Sequence, residues 1–75
     1  MSELVFKMKK KVSDDDVDRA IETNTYITIE DWKIIEDELI FIPLHDEAIK
    51  QKTDLNKFST HITKELGAKF TKVVE

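Results

Sequence analysis

The sequence predicts a small α+β domain, a mostly antiparallel sheet with two helices on one of its faces, in the order β-α-β-β-β-α-β. Three observations predict it. Short alternating or β-branched runs occur near residues 3–10, 25–29, 32–35, 39–42 and 69–74, which is the period-2 signal of strands. Two other stretches carry the 3.6-residue period of helices, Val17, Ala20 and Ile21 and then Leu55, Phe58, Ile62 and Leu66. The middle strands follow one another without an intervening helix, so they pair as hairpins and not as parallel crossover units.

Each element has its own signals. Leu4, Phe6 and Met8 alternate with Val5, Lys7 and Lys9, giving a first strand. Ser13 followed by Asp14, Asp15 and Asp16 is a strong helix start, a capping hydroxyl with carboxylates near the positive end of the helix dipole. Thr23 and Asn24 are poor helix formers and end that helix. Thr25 to Ile29 is β-branched and aromatic and reads as a strand. Trp32–Ile35 and Leu39–Ile42 flank an acidic Glu36-Asp37-Glu38 turn, which favours a hairpin. The competing reading is a helix through 29–37, capped by Thr28 with Asp31 at its third position. Pro43 ends the run. From Asp46 the chain turns helical, with Thr53 and Asp54 either capping a new helix or lying within a longer one; Gly67 sits where a helix-ending glycine belongs, and Lys69 to Val74 is a final strand.

At 75 residues the chain is one domain that buries only about 60% of its unfolded surface, so its stability margin is thin and self-association is a common remedy. With no cysteine it can form neither disulfides nor a thiolate metal site, which fits a reducing cytoplasm. The apolar stretch near the N-terminus is too short for a secretory leader and its lysines follow it, while the longest apolar run, Leu39–Leu44, is strand-sized, so no membrane association is expected. Abundant Ile and Lys with a single glycine suit an AT-rich genome, as in a low-GC bacterium or its phage.

No catalytic arrangement emerges, and the chain reads as a binding protein without a cofactor. His45, Asp46 and Glu47 are consecutive and point apart. His61 and Glu65 share a helix face, but two ligands do not make a metal site. Ser59 lies in a lysine-rich helix without an acid-base partner, and there is no glycine-rich phosphate loop. Lys7, Lys9, Lys10 and Lys11 could touch nucleic acid, but lysines on the solvent side of an edge strand are more simply guards against aggregation. An acidic protein lacks the basic footprint of a DNA binder. Trp32 and Tyr26 are either interface anchors or core.

The unusual feature is charge segregation. Residues 1–13 hold four lysines and one acid, residues 14–47 hold twelve acids against Arg19 and Lys33, and residues 48–75 hold six lysines and three acids. A net charge of −4 therefore conceals an acidic middle. Its acids are grouped at spacings that put neighbours on one face of a helix or strand. Helix capping and solubility account for such groups in a bland reading. In a functional reading they form a face that docks on a basic partner, with salt-sensitive binding.

The DDDVD run at 14–18 and the EDWKIIEDE segment at 30–38 resemble, in size and charge pattern, the small acidic DNA-mimic inhibitors that phages use against host proteins. The resemblance covers the middle half of the chain. It implies that Asp14, Asp15, Asp16, Asp18, Glu22, Glu30, Asp31, Glu36, Asp37 and Glu38 bind a basic nucleic-acid-binding protein, such as a nucleoid protein, a nuclease or an RNA polymerase subunit. The setting would be a host cytoplasm, with no direct nucleic-acid contact. Lys7 to Lys11 with Lys50, Lys52 and Lys57 depart from a full-surface mimic and favour a one-faced one. The alternative is a small dimeric DNA-binding regulator or antitoxin-like module, assembled through its sheet edge and the Leu55/Phe58/Ile62/Leu66 helix, with its lysines on DNA.

Overall fold

The computed structural model describes residues 2–75. Strand β1 (Glu3–Lys7) leads through a lysine-rich loop to helix α1 (Asp14–Glu22), and a hairpin follows, β2 (Ile29–Ile35) and β3 (Glu38–Pro43). A short 3-10 turn (Asp46–Lys50) precedes helix α2 (Lys52–Leu66), and β4 (Lys69–Val74) completes a four-stranded sheet of order β2-β3-β1-β4, antiparallel throughout. The α+β class and the antiparallel sheet are as expected. Among the described residues no helix is long and apolar enough to cross a membrane.

Local chemistry accounts for most boundaries. At the start of α1 the Ser13 hydroxyl accepts from the Asp16 amide at 3.2 Å and the Asp16 carboxylate accepts from the Ser13 amide at 3.4 Å, a reciprocal cap. α2 ends at Gly67, whose φ of 71° lies in the left-handed region and whose N–H closes on the Thr63 carbonyl. The hairpin is real, and Glu36 and Asp37 alone form its turn. Glu38 belongs to β3, opposite Ile35 and Lys7. Glu36 takes φ 57°, which costs a side-chain-bearing residue about 1 kcal/mol or more.

Two expectations are corrected and one open alternative is decided. Residues 25–29 do not form a separate strand, so the sheet has one strand fewer than the sequence order implies; only Ile29 joins β2. The Asn24 side chain accepts from the amides of Tyr26 and Ile27 and donates to the Ile27 carbonyl, folding the segment into a turn that drives Ile27 into the core. The helical run from Asp46 is a 3-10 turn that breaks at Gln51, whose ψ of 92° is not helical, so a new helix begins there, with Thr53 and Asp54 in its first turn and not at its cap. β1 is not an edge strand but sits between β3 and β4, so Lys7 and Lys9 guard no edge; the lysines on the exposed β4 edge are Lys69 and Lys72.

Register assigns the two sheet faces. Leu4, Phe6, Leu39 and Phe41 point toward the helices and join Val17, Ala20, Ile27, Phe58, Ile62, Leu66 and Ala68 in one core. Phe6 meets Phe41, Phe58 and Phe70 edge-to-face at 5.4–5.9 Å between centroids. The opposite face has no helix over it. Across its centre run Lys33, Ile40, Val5 and Lys72; on one side lie Ile35, Glu38, Lys7 and Lys69, and on the other Asp31, Ile42, Glu3 and Val74.

Candidate acidic docking face

The sheet order turns a pattern along the chain into a pattern across the molecule. α1 lies over the β2 edge, because the indole Nε1–H of Trp32 donates to Asp18 Oδ1 at 3.3 Å. α2 lies toward β4 and meets α1 through His61, whose Nε2 sits 2.9 Å from the Ala20 carbonyl and 3.0 Å from Thr23 Oγ1. Asp46 accepts from the Ser2 amide, away from α1, but the α1 acids occupy the α1/β2 side and the α2 lysines the α2/β4 side. There Lys57 and Lys64, with Tyr26, Asn56, Thr60 and His61, line an open groove of about 380 Å³.

The candidate acids fall into distinct positions. Val17 and Ala20 are buried and Ile21 is half-buried, so the helix period sends Asp15 and Glu22 outward. Asp14 and Asp18 flank toward β2, as the Trp32 bond requires. Asp16, on the other flank, is used in part to cap its own helix. All five are exposed. Glu30 sits where the β2–β3 register shifts, and Glu36 at the hairpin turn; both are exposed on the β2 side. The Met8 N–H donates to the Asp37 carbonyl, so the loop that leads into α1 starts from the hairpin-turn end of the sheet.

The remaining three stand apart. Asp31 and Glu38 belong to the open sheet face, turned away from α1 by the strand's two-residue alternation. Asp37 pairs with Lys7 at 3.7 Å. The ten candidates thus form no single face. Seven gather along α1 and the β2 edge, and three lie elsewhere.

Counter-charges do not quench the seven. Among the described residues the ion pairs within 4 Å are Lys7–Asp37 and Lys33–Glu3 at 3.3 Å, neither involving an α1 acid. Arg19 lies on the outward side of α1 without an ion pair among the described residues. The half-buried Trp32, the sole tryptophan, was not separable in sequence between core and anchor. It packs on the core while its N–H holds Asp18, and so couples the acidic helix to the sheet. Tyr26 is 41% exposed and lies on the basic side. Ser59 Oγ donates to the Leu55 carbonyl of its own helix. No cluster of three or more potential metal ligands exists among the described residues.

Comparison with protein-family models, curated protein sequences and solved structures returns no match.

Proposed function

We propose that the chain is a protein-binding inhibitor that presents the α1/β2 side to the nucleic-acid-binding surface of a basic protein and blocks its binding to DNA. The single observation that carries this reading is the row of exposed α1 carboxylates, free of lysine partners and held on a capped helix that Trp32 ties to the sheet. Carboxylates at one-turn spacing on a rigid support stand about 5–6 Å apart and substitute for a run of phosphates. Their field raises the encounter rate with a cationic surface and makes the complex salt-sensitive. The basic α2 side faces away, consistent with a mimic that uses one side only.

The test is a gel-shift competition. Purified nucleoid protein, nuclease and RNA polymerase are each bound to labelled DNA, and the chain is added at low and at high salt. Release of DNA from at least one at low salt is expected. The triple variant Asp15→Asn/Asp18→Asn/Glu22→Gln should lose most of the effect, since close interfacial charge pairs contribute about 1.5–7 kcal/mol each. Release by the variant equal to that by the native chain, or no release from any of the three, refutes the reading. The lysines around Tyr26 favour a second reading, a small DNA-binding regulator. The same gels separate it, because the chain alone would then retard DNA.

A further inference from the structure

The open sheet face carries an apolar stripe that runs corner to corner. Ile35 on β2, Ile40 on β3, Val5 on β1 and Val74 on β4 lie in sequence along its diagonal. Ile35 is 50% exposed and Val74 38%, while Val5 at 3% and Ile40 at 7% are buried although no helix covers them. Lys33 on β2 reaches over β3 to Glu3 on β1 at 3.3 Å, so its stem lies across this part of the face. On one side of the stripe stand Glu38, Lys69 and Lys72, and on the other Lys33, Asp31 and Glu3.

These positions are complementary to themselves. A half-turn about an axis lying along the stripe lays one copy's face on another's with the stripes superposed. In that arrangement Lys69 comes over the second copy's Asp31, Lys72 over its Glu3, and Glu38 over its Lys33. Every charge off the stripe, Lys7 with its own Asp37 apart, then meets an opposite one. The strands of the two sheets cross at near right angles, one of the two standard ways in which sheets pack.

We infer that this face is the interface of a symmetric homodimer, with a second copy of this chain as its occupant. The contact is isologous, so each pair occurs twice and the assembly closes at two. The face spans three strand spacings by two two-residue steps, about 14 by 13 Å, smaller than the roughly 800 Å² per partner of a standard interface. Its apolar centre is already partly covered, and the Lys33–Glu3 pair exchanges for intermolecular pairs. The dimer is accordingly weak and forms in the micromolar range or above. The acidic α1 sides remain outward on both copies.

Sedimentation velocity over a concentration series at low salt tests this. The native chain should move from its 8.8 kDa monomer toward twice that mass, and less so at high salt. Ile35→Lys alters a half-exposed side chain, so circular dichroism should show the same fold while the chain stays monomeric. Lys69→Asp sets like charges opposite one another and should weaken association about tenfold or more. Adding Asp31→Lys to it should restore association. A native chain that is monomeric throughout, an Ile35→Lys chain that still dimerises, or a double reversal no better than the single overturns the inference. None of these readouts involves DNA or a basic partner, so failure here is distinguishable from failure of the docking proposal.

Discussion

Glu22 should be a liability to the isolated chain, and removing its charge should stabilise it. The residue is the last of α1, immediately before the C-cap Thr23, where the helix dipole presents its negative end. A carboxylate there is unfavourable by about 0.3–1 kcal/mol at low ionic strength. Asp18 lies one turn back on the same side, and a like-charge pair four residues apart adds about 0.2–0.5 kcal/mol. Among the described residues Arg19 makes no ion pair within 4 Å that would offset either effect. Glu22→Gln should therefore gain about 0.5–1.5 kcal/mol. With an unfolding entropy near 2.1 cal/mol/K per residue, the 75-residue chain converts that into a rise in Tm of about 3–10 °C. Thermal denaturation followed by circular dichroism should show the rise in low salt. It should shrink at about 1 M salt, where the Debye length falls to about 3 Å. An unchanged or lower Tm, or a gain that persists undiminished in high salt, would refute the electrostatic account. A stabilising substitution that also weakens docking would mark the acidic helix as maintained at the expense of stability.

Other perturbations isolate single contributions. Phe6 has three edge-to-face aromatic partners and Phe70 has one, so Phe6→Leu should cost about 2 kcal/mol more than Phe70→Leu in urea denaturation at about 0.5–1.5 kcal/mol per pair; equal losses would contradict the aromatic bookkeeping. Gly67→Ala should cost about 1–2 kcal/mol from conformation alone, because an added Cβ meets nothing nearer than Lys10 Cε at 4.0 Å. Gly67→Asn, which tolerates the left-handed region better, should cost less. His61→Ala removes the ring that bridges α2 to the end of α1 and should lower stability by about 1 kcal/mol, with faster hydrogen exchange concentrated in the last turn of α1.

How much of this was legible in sequence differs by residue. Ser13 with its aspartates, the Leu55/Phe58/Ile62/Leu66 stripe and Gly67 each announce themselves through a rule that operates within a few residues, and each stands where it was read. The strand expected at 25–29 failed because β-branched propensity lost to a side chain just outside the window: Asn24 offers three hydrogen bonds to the backbone and folds the segment back. The central place of β1 was not readable, since strand order is decided by long-range pairing that no local pattern encodes. The acidic tract was visible, but not its division. A two-residue period sends Asp31 and Glu38 to the open face and leaves Glu30 at a register shift, so chain neighbours end on different surfaces. The stripe on the open face is not legible in sequence, because its members come from four strands and become neighbours only through the register.

The connectivity explains why a charge pattern along the chain survives as one across the fold. β1 sits in the middle of the sheet, and the chain builds outward from it in two local units. α1, β2 and β3 complete one side before α2 and β4 begin the other, and no later segment crosses back. The α1 carboxylates and the α2 lysines are thereby kept on opposite flanks, while Asp31, Glu38, Lys69 and Lys72 share the open face, and the separation gives the molecule a dipole that would orient it toward a cationic surface. The open face lies on neither flank, so pairing through it leaves both acidic helices exposed, one on each outer side. A dimer would then offer two docking sides to a partner with repeated basic surfaces, raising apparent affinity by avidity with no new contact. Ile35→Lys should in that case leave the affinity for a single isolated partner domain unchanged while weakening the grip on an array of them. An equal loss on both substrates would mean that Ile35 itself belongs to the docking side.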